Sequence, residues 1–294
     1  MSAHPVHAGQ KRKLVEVDCR SWEATSISTV KCSRVQTKFQ TFIFMEGEQS
    51  FWLDGAFFHI SAGHGAQTKP KALTFVLNQE TDIRLLRGTN RPLRKISLTS
   101  PISWMDDMHI DPSACHKELT RFLSGHLNYL IWEPGPDVLS LCKQIQSPPT
   151  WLEGEMRELY LSARGLEVMM AVCQRISGSG DEQAEPVFAS KNQMNKVRDY
   201  LLAHLDDDLN IGTVARETGT SVRSLQRKFR EHFGEPVFEY VRQARLFKAR
   251  EALLREGVSV SEAATLAGYN RIGSFSAAFK RQFGECPSTS RLKT

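Results

Sequence analysis

The chain has 294 residues, 40% of them hydrophobic, and a formal net charge of +5. That length suits one large domain or two of ordinary size, and the apolar content is ample for a buried core. No apolar run approaches the roughly 18 residues of a membrane span, and the six cysteines (Cys19, Cys32, Cys115, Cys142, Cys173, Cys286) include no C-x-x-C pair, which argues against a structural zinc site and a compact disulfide framework.

In chain order, MSAHPVHAGQKRKLVEVD has basic residues but no apolar segment behind them, so it does not read as a secretory signal. Residues 1–13 are expected to form a disordered tail, with the fold starting near Leu14. Between about Val35 and Leu98 short β-rich runs (FQTFIFM, SFWLDGAFFHI, ALTFVL, RKISLT) alternate with Gly, Asn, Asp and Pro signals. This texture predicts a small antiparallel barrel or sandwich, cupin-like, with the pattern turning helical from Pro112 to Ile176.

In the last of those helices Leu152, Met156, Leu159, Ala163, Leu166, Met170 and Cys173 are spaced 4-3-4-3-4-3, an a/d seam. Such a seam packs on the barrel of its own chain, on a second subunit, or on both, with one side on each. Tyr160 and Met169 widen the stripe, which favours core packing, and Gly165 weakens both readings. The small, acidic stretch GSGDEQAEP then marks a linker, set at residues 178–189.

The charge is uneven. Residues 191–294 hold 18 Lys and Arg against 12 Asp and Glu, whereas residues 1–190 hold 20 against 21. The basic excess therefore sits in the last third and suggests a polyanionic partner for it. That third also repeats itself. Ser224, Leu225, Phe229, Phe233, Gly234 and Glu235 recur 50 residues later as Ser274, Phe275, Phe279, Phe283, Gly284 and Glu285. Upstream, Ile211, Val214, Ala215 and Gly219 recur as Val260, Ala263, Ala264 and Gly268.

Each unit thus reads as a short helix, a Gly-bearing turn and a second helix, the form of a helix-turn-helix. Residues 236–257 between the units have the apolar spacing of one long helix ending at Gly257. Two helix-turn-helix units on one connecting helix would hold their second helices at a fixed separation. Stacked solenoid repeats would need more than two copies.

The pieces I-x-x-V-A-x-x-x-G, S-x-x-x-L-x-R-x-F-x-x-x-F-G, Tyr240 with Arg245, and A-x-x-x-G-Y-x-x-x-x-x-F-S-x-A-F-K-R-x-F-G-x-x-P-S over 264–288 resemble the AraC/XylS family of bacterial transcription regulators. The resemblance implies a DNA-binding domain over 190–294 and an effector-binding and dimerisation domain over 14–177. It also implies activation through RNA polymerase; the dispersed cysteines suit a reducing cytosol, and the a/d seam offers a homodimer contact. The chain departs from the family at its end, PSTSRLKT, where members often continue P-S-x-Y-R.

By that resemblance Arg223, Gln226 and Arg227 match base-contacting positions of the first unit. Arg suits guanine and Gln suits adenine in the major groove. In the second unit the matching positions Ile272, Gly273, Ser276 and Ala277 are short or apolar, leaving Asn270, Arg271 and Ser276 as its polar readers. Lys228, Arg230, Arg242, Lys280 and Arg281 are expected on phosphates, while Arg245 either joins them or braces the two units. The first unit should carry most base specificity, and the second should add phosphate anchoring, a thymine-methyl contact or shape readout.

LLRGTNRPLRKISL (85–98) and RELYLSARGLEVMMAV (157–172) resemble regulators of siderophore uptake of the PchR type, which implies a ferric siderophore as effector and no cofactor besides it. Trp22, Trp52, Phe57, Arg84 and Arg87 are the residue types that such a chelate needs, although aromatics in short strands are more often core. His59 and His64 lack the further ligands of a cupin metal site, so no metal is expected on the protein itself. There is no G-x-S-x-G, P-loop or H-E-x-x-H, so an enzyme is not expected, and Asp106–Asp107 and Asp206–Asp208 read as solvated charge. Control by a partner protein, or by abundance alone, stands as the alternative to a small effector.

Overall fold

The computed structural model describes residues 14–22, 29–87, 92–104, 117–177 and 187–291. The expected tail at 1–13 and most of the expected linker lie outside these residues; a helix already begins at Val187. Eight strands are described: β1 (Glu16–Trp22), β2 (Thr29–Val35), β3 (Lys38–Leu53), β4 (Ala56–Gly63), β5 (Lys71–Leu77), β6 (Thr81–Arg87), β7 (Leu93–Ser100) and β8 (Tyr129–Trp132).

The 16-residue β3 belongs to two antiparallel sheets. Its first half pairs with β5 and β7, which continue to β8 and β1, while its second half pairs with β4 and β6, and β6 carries β2. The change of sheet falls on a bulge at Gly47–Glu48. Gly47 has φ +92°, and a Cβ there would lie 2.5 Å from the Pro92 carbonyl oxygen, so only glycine lets the strand turn at this point. The β3–β4 hairpin closes through Asp54–Gly55, both at positive φ, the Asp-Gly pair that a two-residue turn of matching twist requires.

Alternation divides the residues of the first sheet between two cores. Phe39, Ile43, Ala72, Val76, Ile96 and Leu98 pack under three helices: α1 (Lys117–Ser124), α2 (Pro136–Gln146) and α3 (Gly154–Ser177). Phe44, Leu73, Phe75 and Leu77 point the other way and meet Phe51, Leu53 and Ile60 of the second sheet. The helix α3 buries Leu161, Val168, Met169, Val172 and Ile176. A Cβ on Gly165 would lie 2.6 Å from Val17, so this glycine seats α3 directly on β1.

The a/d seam falls on the opposite side. Met156, Leu159 and Met170 are 59%, 62% and 59% exposed, Ala163 is exposed, Leu166 is half-buried and only Leu152, ahead of the helix, is buried. Core packing thus uses a different stripe from the one that the heptad spacing picks out, because α3 is apolar on both sides.

The helical domain follows as α4 (Val187–Ala203), α5 (Ile211–Glu217), α6 (Val222–Phe233), α7 (Val237–Glu251), α8 (Val260–Leu266), α9 (Ile272–Phe283) and α10 (Pro287–Ser290). α7 runs into one π-helical turn, Ala252–Glu256, and stops at Gly257. Ser221 caps α6 by accepting from the Ser224 N–H at 3.3 Å, and Ser259 with Glu262 forms a capping box on α8. Leu225, Phe229 and Phe233 in one unit, and Phe275, Phe279 and Phe283 in the other, are buried, as the repeat predicts.

Candidate nucleic-acid interface

With its phenylalanines turned inward, α6 presents Arg223, Gln226, Arg227 and Arg230 to solvent, and Lys228 is half-buried. Arg227 pairs with Glu231 one turn on, at 3.0 Å, both side chains well exposed. An exposed i,i+4 pair contributes only about 0.3–0.5 kcal/mol, so a phosphate or guanine competes for this arginine at little cost. A groove of about 650 Å³ between α5, α6 and α7 is lined by Ile211, Gln226, Arg230 and Phe238. On α9 and its approach Asn270, Arg271, Ala277, Lys280 and Arg281 are exposed and Ser276 is half-buried.

Two arginines of the connecting helix α7 are engaged within the protein. Arg245 donates to the carbonyls of Leu205 and Asp207, each at 2.6 Å, and so braces α7 against the segment that enters α5. Arg242 is held by Glu239, with Nε 2.9 Å from Oε2, which raises its pKa and lowers that of the glutamate. Both guanidiniums are thus engaged within the protein, Arg245 on the segment before α5 and Arg242 on Glu239.

The two copies differ beneath their recognition helices. Arg250 is completely buried, bonds Glu285 and lies over the Phe283 ring at 4.5 Å. Burial pushes its pKa down to about 10 against the pull of Glu285. Glu235, the counterpart of Glu285, instead accepts from Gln243 at 2.8 Å. Burial, reinforced by Glu239, raises its carboxyl to about 8, so it is mostly neutral at pH 7.

The barrel meets this domain along the outer face of the second sheet. Phe57 packs edge-on against Tyr240 and Phe247, and Trp52 lies 6.3 Å from Phe247. Arg84 pairs with Glu251 at 3.1 Å and sits over Trp52. The Tyr240 hydroxyl donates to the Phe57 carbonyl at 2.7 Å, and His232 and Tyr129 are hydrogen-bond partners at 2.9 Å. Trp52, Phe57 and Arg84, expected around an effector, therefore stand between the two halves instead of in the barrel interior; the side chains of Trp22 and Arg87 lie outside the described residues. His59 bonds Ser50 at 2.8 Å and is held neutral by burial, and no group of metal-ligating side chains occurs among the described residues.

Glu251, Tyr129 and His232 were not singled out by the sequence, and Tyr240 was marked only by its spacing from Arg245. The available signal was SFWLDGAFFHI, which is apolar at consecutive positions, as a strand is when both its faces are covered.

Two helix-turn-helix units with basic outer faces, joined to a β-structured half, define a two-part helix-turn-helix protein by architecture. Residues 17–189 match the family "Regulatory protein PchR N-terminal domain", and residues 214–293 match a "Helix-turn-helix domain" family. The chain belongs to the family of regulatory proteins that carry the PchR N-terminal domain, with an AraC-type helix-turn-helix domain after it.

It is 29% identical over 182 residues to the "Regulatory protein PchR" of Pseudomonas aeruginosa, covering 59% of this chain and 57% of that one. It is 27% identical over 178 residues to the "HTH-type transcriptional activator RhaS" of Escherichia coli, covering 57% and 63%. The matches thus span less than two thirds of the length of these relatives. Among solved structures, apo ToxT from Vibrio cholerae aligns over 94% of this chain and 96% of its own at 13% identity, with a TM-score of 0.37. No helix among the described residues is long and apolar enough to cross a membrane.

Proposed function

We propose that this protein is a cytoplasmic transcription regulator that reads duplex DNA with α6 and α9 and answers to a small effector, a ferric siderophore. The observation that carries the DNA-reading role is the pair of helix-turn-helix units on α7, whose inner faces are buried phenylalanines and whose outer faces carry Arg223, Gln226, Arg227, Arg230, Lys280 and Arg281. Two such helices about 34 Å apart would enter successive major grooves on one side of the DNA. Arg223, Gln226 and Arg227 read bases, and Asn270, Arg271 and Ser276 add a lesser polar readout.

The effector reading is supported by the PchR-type N-terminal half, which is joined to α7 through Trp52, Phe57 and Arg84. A ligand that shifts the second sheet would move α7, and with it the spacing of α6 and α9. The exposed stripe Met156–Leu159–Ala163–Met170 on α3 serves as the contact with a second copy, so that a dimer spans repeated half-sites, and bound protein recruits RNA polymerase.

Selection of binding sites from random duplexes by the full-length protein tests the first part; enrichment of no site would overturn it. Thermal melting with ferric siderophores and with their iron-free forms tests the second. A ligand at a hundredfold excess over Kd contributes about 2.7 kcal/mol. Stabilisation by the ferric form alone supports an iron-responsive switch, and no response to either form would favour control by a partner protein or by abundance.

A further inference from the structure

Glu251, the last residue of α7, holds two arginines at once. Arg84 of β6 places Nη1 3.3 Å from Oε1 and 3.1 Å from Oε2, and Arg255, four residues on, places its own Nη1 3.0 Å from Oε1. The glutamate side chain is 12% exposed, whereas both guanidiniums reach solvent. A nearly buried carboxylate with two partners can lose one without being left as an unpaired charge, so the Arg84 contact can open at modest cost. Arg84 also has somewhere to go. Arg84 and Arg255 border a cavity of about 390 Å³, and Asp82 lines it too. Asp82 stands two residues before Arg84 on β6, hence on the same face of the strand, and its exposed carboxylate pairs with Arg34 at 3.2 Å.

The chain on either side of Glu251 is fastened to the second unit. Arg250 is bonded to Glu285, which follows the last turn of α9 and also accepts from the Ser290 hydroxyl at 2.7 Å. The π-helical turn Ala252–Glu256 starts at the next residue and packs on α8 and α10, and Arg291 donates to the Gly257 carbonyl at 3.0 Å. Single π turns are rare, recur at functional positions and are places where a helix bends. The hold of the barrel, the hold of the second unit and the start of the π turn thus meet at Arg250, Glu251 and Ala252.

We propose that Arg84 is a two-position latch for the second unit. Bonded to Glu251, it fixes the end of α7 and the seat of α9; turned onto Asp82, it leaves Glu251 to Arg255 and lets the π turn re-seat α9 relative to α6. The inference deepens the reading proposed above, in which the barrel controls the spacing of α6 and α9, and names the part that moves. The first unit has its own ties to the barrel, Tyr240 on Phe57 and His232 with Tyr129, and keeps its place.

The test uses full-length Arg84→Gln, Arg84→Lys and Asp82→Asn. In Arg84→Gln, amide exchange in residues 252–257 and in α9 should be about three- to fivefold faster, the loss of one partly exposed ion pair, with α6 unchanged. Arg84→Lys keeps the charge and should restore most of the protection. Asp82→Asn weakens the released position and should slow exchange below that of wild type. In site selection Arg84→Gln should keep the block read by α6 and accept a wider range of spacings to the block read by α9. Unchanged exchange in 252–257 for both Arg84→Gln and Asp82→Asn, equal acceleration in α6, or spacings as strict as those of wild type would overturn the latch. If wild type selects no site, the DNA-reading role falls, and the exchange measurements still decide whether the latch exists.

Discussion

Tyr240, in the helix that joins the two helix-turn-helix units, donates its hydroxyl proton to the Phe57 carbonyl on the outer face of the barrel, at 2.7 Å and fully buried. The bond joins the half assigned to sensing and the half assigned to DNA reading at the one helix that sets the separation of α6 and α9. Around it Phe57, Phe247 and Trp52 form a core continuous with both domains, so neither half can move without disturbing the other's packing.

Tyr240→Phe should remove this bond while keeping the ring contacts with Phe57 and Phe229. Leaving a buried carbonyl without its partner costs about 1–3 kcal/mol. Melting should fall accordingly, and amide exchange should rise in β4 and α7 but not in α9. Unchanged exchange in β4 would show that the bond does not couple the halves.

Glu235 predicts a pH dependence. Its carboxyl is raised to about 8 in the folded chain by burial and by Glu239, against about 4.3 when unfolded. The folded state therefore holds a proton that the unfolded state has released. The stabilising contribution is complete below the unfolded value and is lost as pH rises through about 8. Glu235→Gln keeps the neutral form, so the melting temperature of wild type should drop relative to this variant between pH 5 and 8. Parallel curves would contradict the burial of an acid at this point.

Glu285→Ala should leave Arg250 buried without its carboxylate, because the guanidinium is sealed beneath Phe283. Loss of one member of a buried pair costs about 3–5 kcal/mol. Proteolysis should then open the chain within α9 and α10 while α6 stays protected.

Leu159→Asp with Met170→Asp places charge on the exposed stripe of α3 and touches none of the residues that α3 buries. Sedimentation should give a dimer for wild type and a monomer for the double variant, with melting little changed. Equal masses would remove the role assigned to this stripe.

The helical domain was legible because its repeat states the same solution twice. Leu225, Phe229 and Phe233 answer to Phe275, Phe279 and Phe283, and all six are buried where periodicity puts them. The β-structured half was legible in class but not in topology, since nothing local says that β3 serves two sheets, although Gly47 marks where it turns. Two judgements about faces needed the structure. α3 carries apolar residues on two sides, so spacing could not separate Leu161, Val168 and Val172, which are buried, from Met156, Leu159 and Met170, which are exposed. Trp52 and Phe57 carry the composition of a ligand pocket, but their side of the second sheet is covered by α7. Alternation assigns residues to faces of a strand; what covers each face depends on residues 190 positions away and is invisible to any local pattern.

In the proposed function one chain reads DNA with two unequal helices held a turn apart. The most direct measurement is site selection from random duplexes by wild type, Arg227→Ala and Ser276→Ala. Two preferred blocks with centres about 10 base pairs apart are expected, the stronger block relaxed by Arg227→Ala and neither much altered by Ser276→Ala. A single block, or equal loss of preference in both variants, would contradict it.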